Sequence, residues 1–295
     1  MVDRLLADGH EAVALDDLST GRRANVAHLA ADRRFRLIVA DVADPLPDIG
    51  PVEVIYHLAS PVTHYARRPL ATLRTCAEGT RRVLDLARAC GAVVVIASTS
   101  DIYGDPEVHP QVESYAGHTS PVGPRSSYVE GKRFAEALAM AARRERGQPV
   151  RVARIFNTYG PRVRPDDGRL PGDFIRRAIA GRPLVVHGTG EQTRSFCYVT
   201  DMVEALVRLA ATDHDGPVNL GSPQEVSVLD LAREVLGLAG SASALEFAPR
   251  PEGDPSRRRP DITLARRLLG WQPAVPRREG LRLTIEACQQ EEPGE

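Results

Sequence analysis

Tyr128 and Lys132 stand four residues apart in SSYVEGKR, inside a stretch of helical spacing, so their side chains share one helix face. A positive charge roughly 5 Å from a phenol oxygen, at an effective dielectric near 20, is worth about 3 kcal/mol, or about two pKa units. Lys132 would therefore draw the phenol down from its ordinary value of about 10 and make it a usable base. Upstream, VVVIASTSDIYG closes a β-branched run with Ser98, Thr99, Ser100 and Asp101. Side chains at such a strand end emerge at the carboxyl edge of a parallel sheet, where ligands bind. A bare Tyr/Lys pair is common and by itself marks a solvated helix face. Joined to strand-end hydroxyls it has the parts for hydride transfer from a secondary alcohol: Thr99 to hold the alcohol, Tyr128 to take its proton and Lys132 to keep the tyrosine acidic.

Positioning these groups requires a parallel sheet with helices between its strands, and the first half of the chain has that pattern. Strands are expected at 11–16 (EAVALD), 36–40 (RLIVA), 52–58 (VEVIYHL), 93–98 (VVVIAS) and 150–155 (VRVARI), with long helices at 68–90 and 126–145. Asp16 closes its strand in VALDDLSTGRR, where a carboxylate hydrogen-bonds a ribose diol and repels a 2′-phosphate, favouring NAD over NADP. Arg22 and Arg23 nearby keep NADP open. Asp41 and Val42 follow the next strand and are candidates to flank adenine. Leu58, Ala59 and Ser60, after His57, end the strand beyond, where small side chains let a cofactor approach; plain strand-end packing is the alternative. A dinucleotide fold of this kind normally opens with a strand and a Gly-rich turn. Here MVDRLLADGHE reads as the helix that follows that turn. About 15 residues of strand and turn are therefore expected to be missing, which would part the second strand of the fold from the fourth.

After Pro161 the pattern loosens into segments punctuated by Gly and Pro, with strands near PLVVHG and PVNLG and helices near VSVLDLAREVLGLAG and ITLARRLLG. The expected organisation is an NAD-binding domain over 1–165 and a mainly substrate-binding domain over 166–295, some of whose elements return to the main sheet. The tail EEPGE is expected to be disordered. The fold class is α/β, a doubly wound parallel (Rossmann) sheet lacking its first strand and Gly-rich turn, with a smaller C-terminal domain. Over 295 residues, 38 Lys and Arg nearly balance 39 Asp and Glu, so no chain-wide basic field exists to hold nucleic acid or an anionic membrane. Four scattered cysteines form neither a CxxC nor a metal-ligand cluster, no apolar run is long enough to span a bilayer, and the reading is a reduced, cytoplasmic protein without a metal. Histidines 57, 64, 109, 118 and 187 are isolated and read as structural or solvated.

TSDIYGDPEVHPQ, SPVGPRSSYVEGKRFAE, RIFNTYGPR, GEQTRSFCYVTD, PVNLG and RRRPDITLARRLLGWQP, in that order, resemble the UDP-glucuronate decarboxylase (UDP-xylose synthase) family of extended short-chain dehydrogenases/reductases. The resemblance covers nearly the whole chain except its front, and PEVHPQ and RRRPDI lean towards decarboxylases over epimerases and dehydratases. It implies bound NAD as a recycling cofactor and decarboxylation of UDP-glucuronate to UDP-xylose through a 4-keto intermediate. By the same resemblance Thr99, Asp101, Tyr128 and Lys132 are catalytic, with Tyr128 and Lys132 also on the nicotinamide ribose. Asn157 and Arg194 would hold the substrate diphosphate, and Arg258 would lie near the sugar carboxylate. Read without it, Arg257, Arg258 and Arg259 form a solvated charge run. The chain departs from the family where Asp101 replaces a Glu, where AGHTSP (Ala116, His118, Ser120) replaces WGNVNP, and in a loop after LASP about two residues short. The rivals are a nucleotide-sugar 4-epimerase or 4,6-dehydratase, on UDP or TDP sugars, and an inactive NAD-binding regulator. Related enzymes pair through the two long helices, so a homodimer is expected, with Leu73, Val83, Leu84, Phe134, Leu138 and Met140 as candidate core or interface.

Overall fold

The computed structural model describes residues 1–61, 67–164 and 166–290. His64, the short loop after LASP and the tail EEPGE lie wholly or largely outside them. The first part runs α1 (Val2–Ala7), β1 (Ala12–Asp16), β2 (Phe35–Val39), β3 (Val54–His57), α2 (Pro69–Arg74), a π-turn (Thr75–Gly79), α3 (Thr80–Cys90), β4 (Val93–Thr99), α4 (Ser126–Arg146), β5 (Val150–Ile155) and β6 (Thr158–Tyr159). It continues with α5 (Gly172–Ile179), β7 (Leu184–His187), β8 (Thr193–Ser195), β9 (Cys197–Tyr198), α6 (Val199–Ala210), β10 (Pro217–Leu220) and β11 (Glu225–Ser227). The last elements are α7 (Val228–Ala239), β12 (Leu245–Ala248), β13 (Arg257–Arg258), α8 (Thr263–Leu269) and α9 (Arg277–Gln290).

One sheet has the strand order β10-β5-β4-β3, while β1 and β2 form a separate parallel pair. Among the described residues β1 pairs only with β2 and β3 only with β4. Val13 of β1 and Val54 of β3 are exposed. By contrast, nearly all of β4 is buried, and its run of Val and Ile lacks polar alternation because both faces are covered.

Two compact units are assembled from interleaved segments rather than from stretches on either side of residue 165. The first comprises Met1–Ser98, Arg125–Ala153 and Leu206–Pro217; the second comprises Thr99–Pro124, Arg154–Ala205 and Val218–Glu295. The first unit's core joins Val83, Leu84 and Ala87 of α3 to Val94 and Ile96 of β4 and Ala139 and Ala142 of α4. Val83 and Leu84 are therefore core, and Val42 belongs to the same core. The second unit's core gathers Phe174, Ile175, Leu184, Leu231, Val235 and Leu281.

The single helix expected over 68–90 is interrupted. A π-turn inserts one extra residue per turn and swings Cys76 and Gly79 inward. Close approach explains the glycines here: a Cβ on Gly79 would lie 2.8 Å from Val42 Cγ1, and one on Gly131 of α4 would lie 3.2 Å from Cys76 Sγ. Gly131 thus lets α4 settle against the π-turn one residue before Lys132. At its far end α4 stops at Gly147 in the left-handed conformation, whose N–H reaches Arg143 O, and Arg143, Arg144 and Arg146 complement the helix dipole.

Candidate active site

In the first unit, Tyr128 and Lys132 occupy the first turns of α4 and are both 5% exposed. The Lys132 ammonium donates to Ala97 O, near the end of β4, at 2.7 Å. One residue on, Ser98 Oγ donates to Glu136 Oε1 at 2.5 Å, so β4 holds α4 at two successive turns. Burial lowers the Lys132 pKa, and interactions with Cys76 and Glu136 oppose that shift. His57 at the end of β3 meets Thr80 Oγ1 at 3.2 Å; burial, reinforced by the charge on Lys132, brings its imidazole down to about 3. It is neutral at physiological pH and neither competes with Lys132 nor serves as a base.

An ammonium has three N–H donors, and among the described partners Lys132 uses one. A buried cation with two unspent donors suits a ribose diol, which is how the residues present fit NAD. Asp16 is exposed at the end of β1, its Oδ1 accepting from Leu18 N at 2.7 Å in a tight turn where Leu18 adopts φ 58°. A Cβ on Gly21 would lie 2.9 Å from both Asp16 carboxylate oxygens, so the glycine keeps that carboxylate accessible. Asp41 caps the turn after β2 by accepting from Ala43 N at 2.8 Å and is paired with Arg74 at 3.3 Å. Leu58 is exposed, Ala59 is half-buried, and Ser60 lies against the Cys76 thiol.

In the second unit, Thr99 accepts from Asp101 N at 3.2 Å through its hydroxyl, capping the short helical turn Ser100–Tyr103. β13 lies parallel to β8 with Arg258 in register with Arg194, so the two guanidinium groups stem from adjacent positions on neighbouring strands. Both arginines are buried, and each meets an acid: Arg194 donates to Asp254 at 2.6 Å, Arg258 to Asp101. Arg258 also donates to Gly104 O at 3.1 Å, while its Nε is buried without a partner. Burial lowers the Arg194 pKa, opposed first by Asp254. The charge-run reading of 257–259 fails because strand geometry exposes Arg257 and buries Arg258. Asp101 is engaged with Arg258 rather than free beside a ligand. Asn157, half-buried, donates to Ser195 O at 3.3 Å beside the paired strands β6 and β9.

Residues that the sequence reading missed lie around these groups. In the second unit a cavity of about 380 Å³ borders Arg194 and Asp254 and is lined by Leu170, Arg177, His187 and Gln192. Gln192 stands two residues before Arg194 and so on the same face of an extended segment, a signal that was available. Glu136 was missed in the first unit; one helical turn after Lys132, it was readable by the same spacing that links Tyr128 to Lys132. Among the described residues no group of three or more His, Cys, Asp and Glu is arranged to hold a metal, and no helix is long and apolar enough to cross a membrane.

The first unit thus carries a parallel α/β sheet with a buried Tyr/Lys pair on the helix after β4. Residues 1–221 match the model of the NAD dependent epimerase/dehydratase family, and the chain belongs to that family. It is 49% identical over 287 residues to UDP-glucuronic acid decarboxylase 1 of Xenopus tropicalis, covering 97% of this chain and 68% of that protein. Among solved structures it is similar to the UDP-glucose 4-epimerase of Thermotoga maritima with UDP-glucose, at a TM-score of 0.90 and 26% identity over 98% of this chain and 94% of that one. The Thermus thermophilus UDP-glucose 4-epimerase in complex with NAD matches at a TM-score of 0.86 and 26% identity, over 99% and 95%.

The open carboxylate of Asp16 generates a prediction for cofactor choice. Asp16→Ala should weaken NAD binding and reduce discrimination against NADP, measured by calorimetric titration with each dinucleotide. Tighter binding of NADP than NAD by the unaltered protein would contradict the assignment.

Proposed function

We propose that this protein decarboxylates UDP-glucuronate to UDP-xylose. The observation that carries the reading is the pair of buried arginines in register on β8 and β13, together with the 49% identity to a UDP-glucuronic acid decarboxylase. Arg194 suits a diphosphate, with Asn157 beside it, and Arg258 suits a sugar carboxylate; each now neutralises an acid that an incoming anion can replace. Tyr128 takes the proton of the carbon-4 hydroxyl, Lys132 holds the tyrosine acidic, and Thr99 orients the alcohol. Lys132 and Asp16 would hold NAD by its ribose hydroxyls, and the cofactor would supply a reversible hydride acceptor for carbon 4, which would leave no net redox change. The product of the first step is a β-keto acid, whose carboxylate leaves as CO2 while the carbonyl takes up the electrons as an enolate. Hydroxyl donors at Thr99 and Tyr128 stabilise that charge, and carbon 5 is then protonated. Asp101 seats the Arg258 guanidinium until the sugar carboxylate takes its place.

Incubation with UDP-glucuronate should release CO2 and yield UDP-xylose, and UDP-glucose should give neither a 4-epimer nor a 4-keto-6-deoxy sugar. Epimerisation or dehydration of UDP-glucose without CO2 release from UDP-glucuronate would reject the reading.

The assembly we propose is a homodimer through α2 and α4. Leu70 and Leu73 on α2 and Phe134 on α4 are exposed at 80%, 39% and 50%, an apolar surface that pairing would cover, whereas Leu138 and Met140 pack partly on the core. Light scattering at micromolar concentration should give twice the chain mass; a monomer mass would reject the pairing. Four unbonded cysteines suit the cytoplasm, which cell fractionation tests.

A further inference from the structure

Lys132 is the only lysine in the chain; every other basic side chain that contributes to its 38 Lys and Arg is an arginine. A guanidinium holds its proton under all working conditions, whereas an ammonium yields it readily when buried. The one position with a tunable cation is therefore the one beside the catalytic tyrosine. Because burial works against its charge, what keeps it protonated becomes a functional question.

The groups facing Lys132 come from four elements of the first unit. From β4 come the Ala97 carbonyl, which accepts from the ammonium at 2.7 Å, and the Ser98 hydroxyl. His57 on β3 is uncharged at neutral pH. The π-turn supplies Cys76, whose thiol pKa burial raises, so that it is uncharged at neutral pH, although its interaction with Lys132 also favours the ammonium. On α4 itself stand Tyr128 one turn before and Glu136 one turn after. The carboxylate of Glu136 is thus the anionic neighbour among these groups, and Ser98 Oγ fixes it at 2.5 Å.

We propose that Glu136 is a positioning residue for the catalytic pair: seated by Ser98, its carboxylate keeps buried Lys132 protonated and so sets the upper pH limit at which Tyr128 works. This rests on the proposed role of Tyr128 and Lys132, but it makes a separate claim about the protein without substrate. The sign follows from electrostatics. Removing a negative charge near an ammonium favours the neutral amine, so Lys132 loses its proton at a lower pH. The alkaline limb of activity must then move to lower pH with it.

A single lysine makes the test direct. Protein labelled with 13C at the lysine Cε gives one resonance, which can be titrated without substrate. In Glu136→Gln the Lys132 pKa should fall by about one unit or more, and the alkaline limb of CO2 release from UDP-glucuronate should fall by the same amount. Glu136→Asp should recover part of both shifts, and Ser98→Ala, which frees the carboxylate without removing it, should show a smaller shift in the same direction. A purely structural role would lower Tm and leave the Lys132 titration where it was. An unshifted titration in folded Glu136→Gln, or in Ser98→Ala should the first variant not fold, overturns the proposal. A shifted titration in a protein that releases no CO2 would sink the decarboxylase reading and leave the role of Glu136 standing.

Discussion

The first unit is organised around one costly object, a buried ammonium tied to a backbone carbonyl near the end of β4. An isolated charge in an apolar interior costs several kcal/mol unless it is paired and hydrogen-bonded. The neighbours of Lys132 bear the marks of that constraint. Ala97 O accepts one of its hydrogen bonds, His57 is held neutral, burial raises the Cys76 thiol pKa, and the carboxylate of Glu136 is kept one turn away by Ser98. Among the described residues two of its N–H groups have no partner. Gly131 and the π-turn follow from the same demand, because α4 must come close to Cys76 for its first turns to stand against β4.

The second unit meets a related constraint with arginine. Arg194 and Arg258 rise from register partners on parallel strands, which would place two like charges side by side without relief. Asp254 and Asp101 provide that relief, and Arg250 and Gly104 O complete the surrounding hydrogen bonds. Ser256, just before β13, donates to Asp105 through both its N–H and its hydroxyl, at 2.8 and 2.7 Å, and so anchors the strand that carries Arg258.

Much of the chemistry was legible because it follows simple periods. β1 to β5 are runs of Val, Ile, Leu and Ala long enough to announce themselves, and the four-residue step from Tyr128 to Lys132 is a helical face. β6, β8, β9, β11 and β13 are only two or three residues long and have no period to read. Arg258 was hidden for that reason: three successive arginines look solvated until a short strand turns one inward. The packing of Val42 was not legible either: a glycine in the π-turn makes room for it in the core. The π-turn itself leaves no mark in composition, since Thr75–Gly79 continues the helical pattern on both sides. Asp101 was correctly placed after β4, but its engagement with Arg258 depends on a strand more than 150 residues further along the chain.

Among the described residues Lys132 spends one donor on Ala97 O at β4, and on our proposal the other two serve a ribose diol. A crystal structure of the protein with NAD measures this directly. The account predicts that Lys132 Nζ keeps Ala97 O within about 3 Å and places its other N–H groups on the two nicotinamide-ribose hydroxyls at ordinary hydrogen-bond distance. A complex in which NAD is bound but Lys132 contacts no ribose oxygen, or reaches it only by abandoning Ala97, would contradict it.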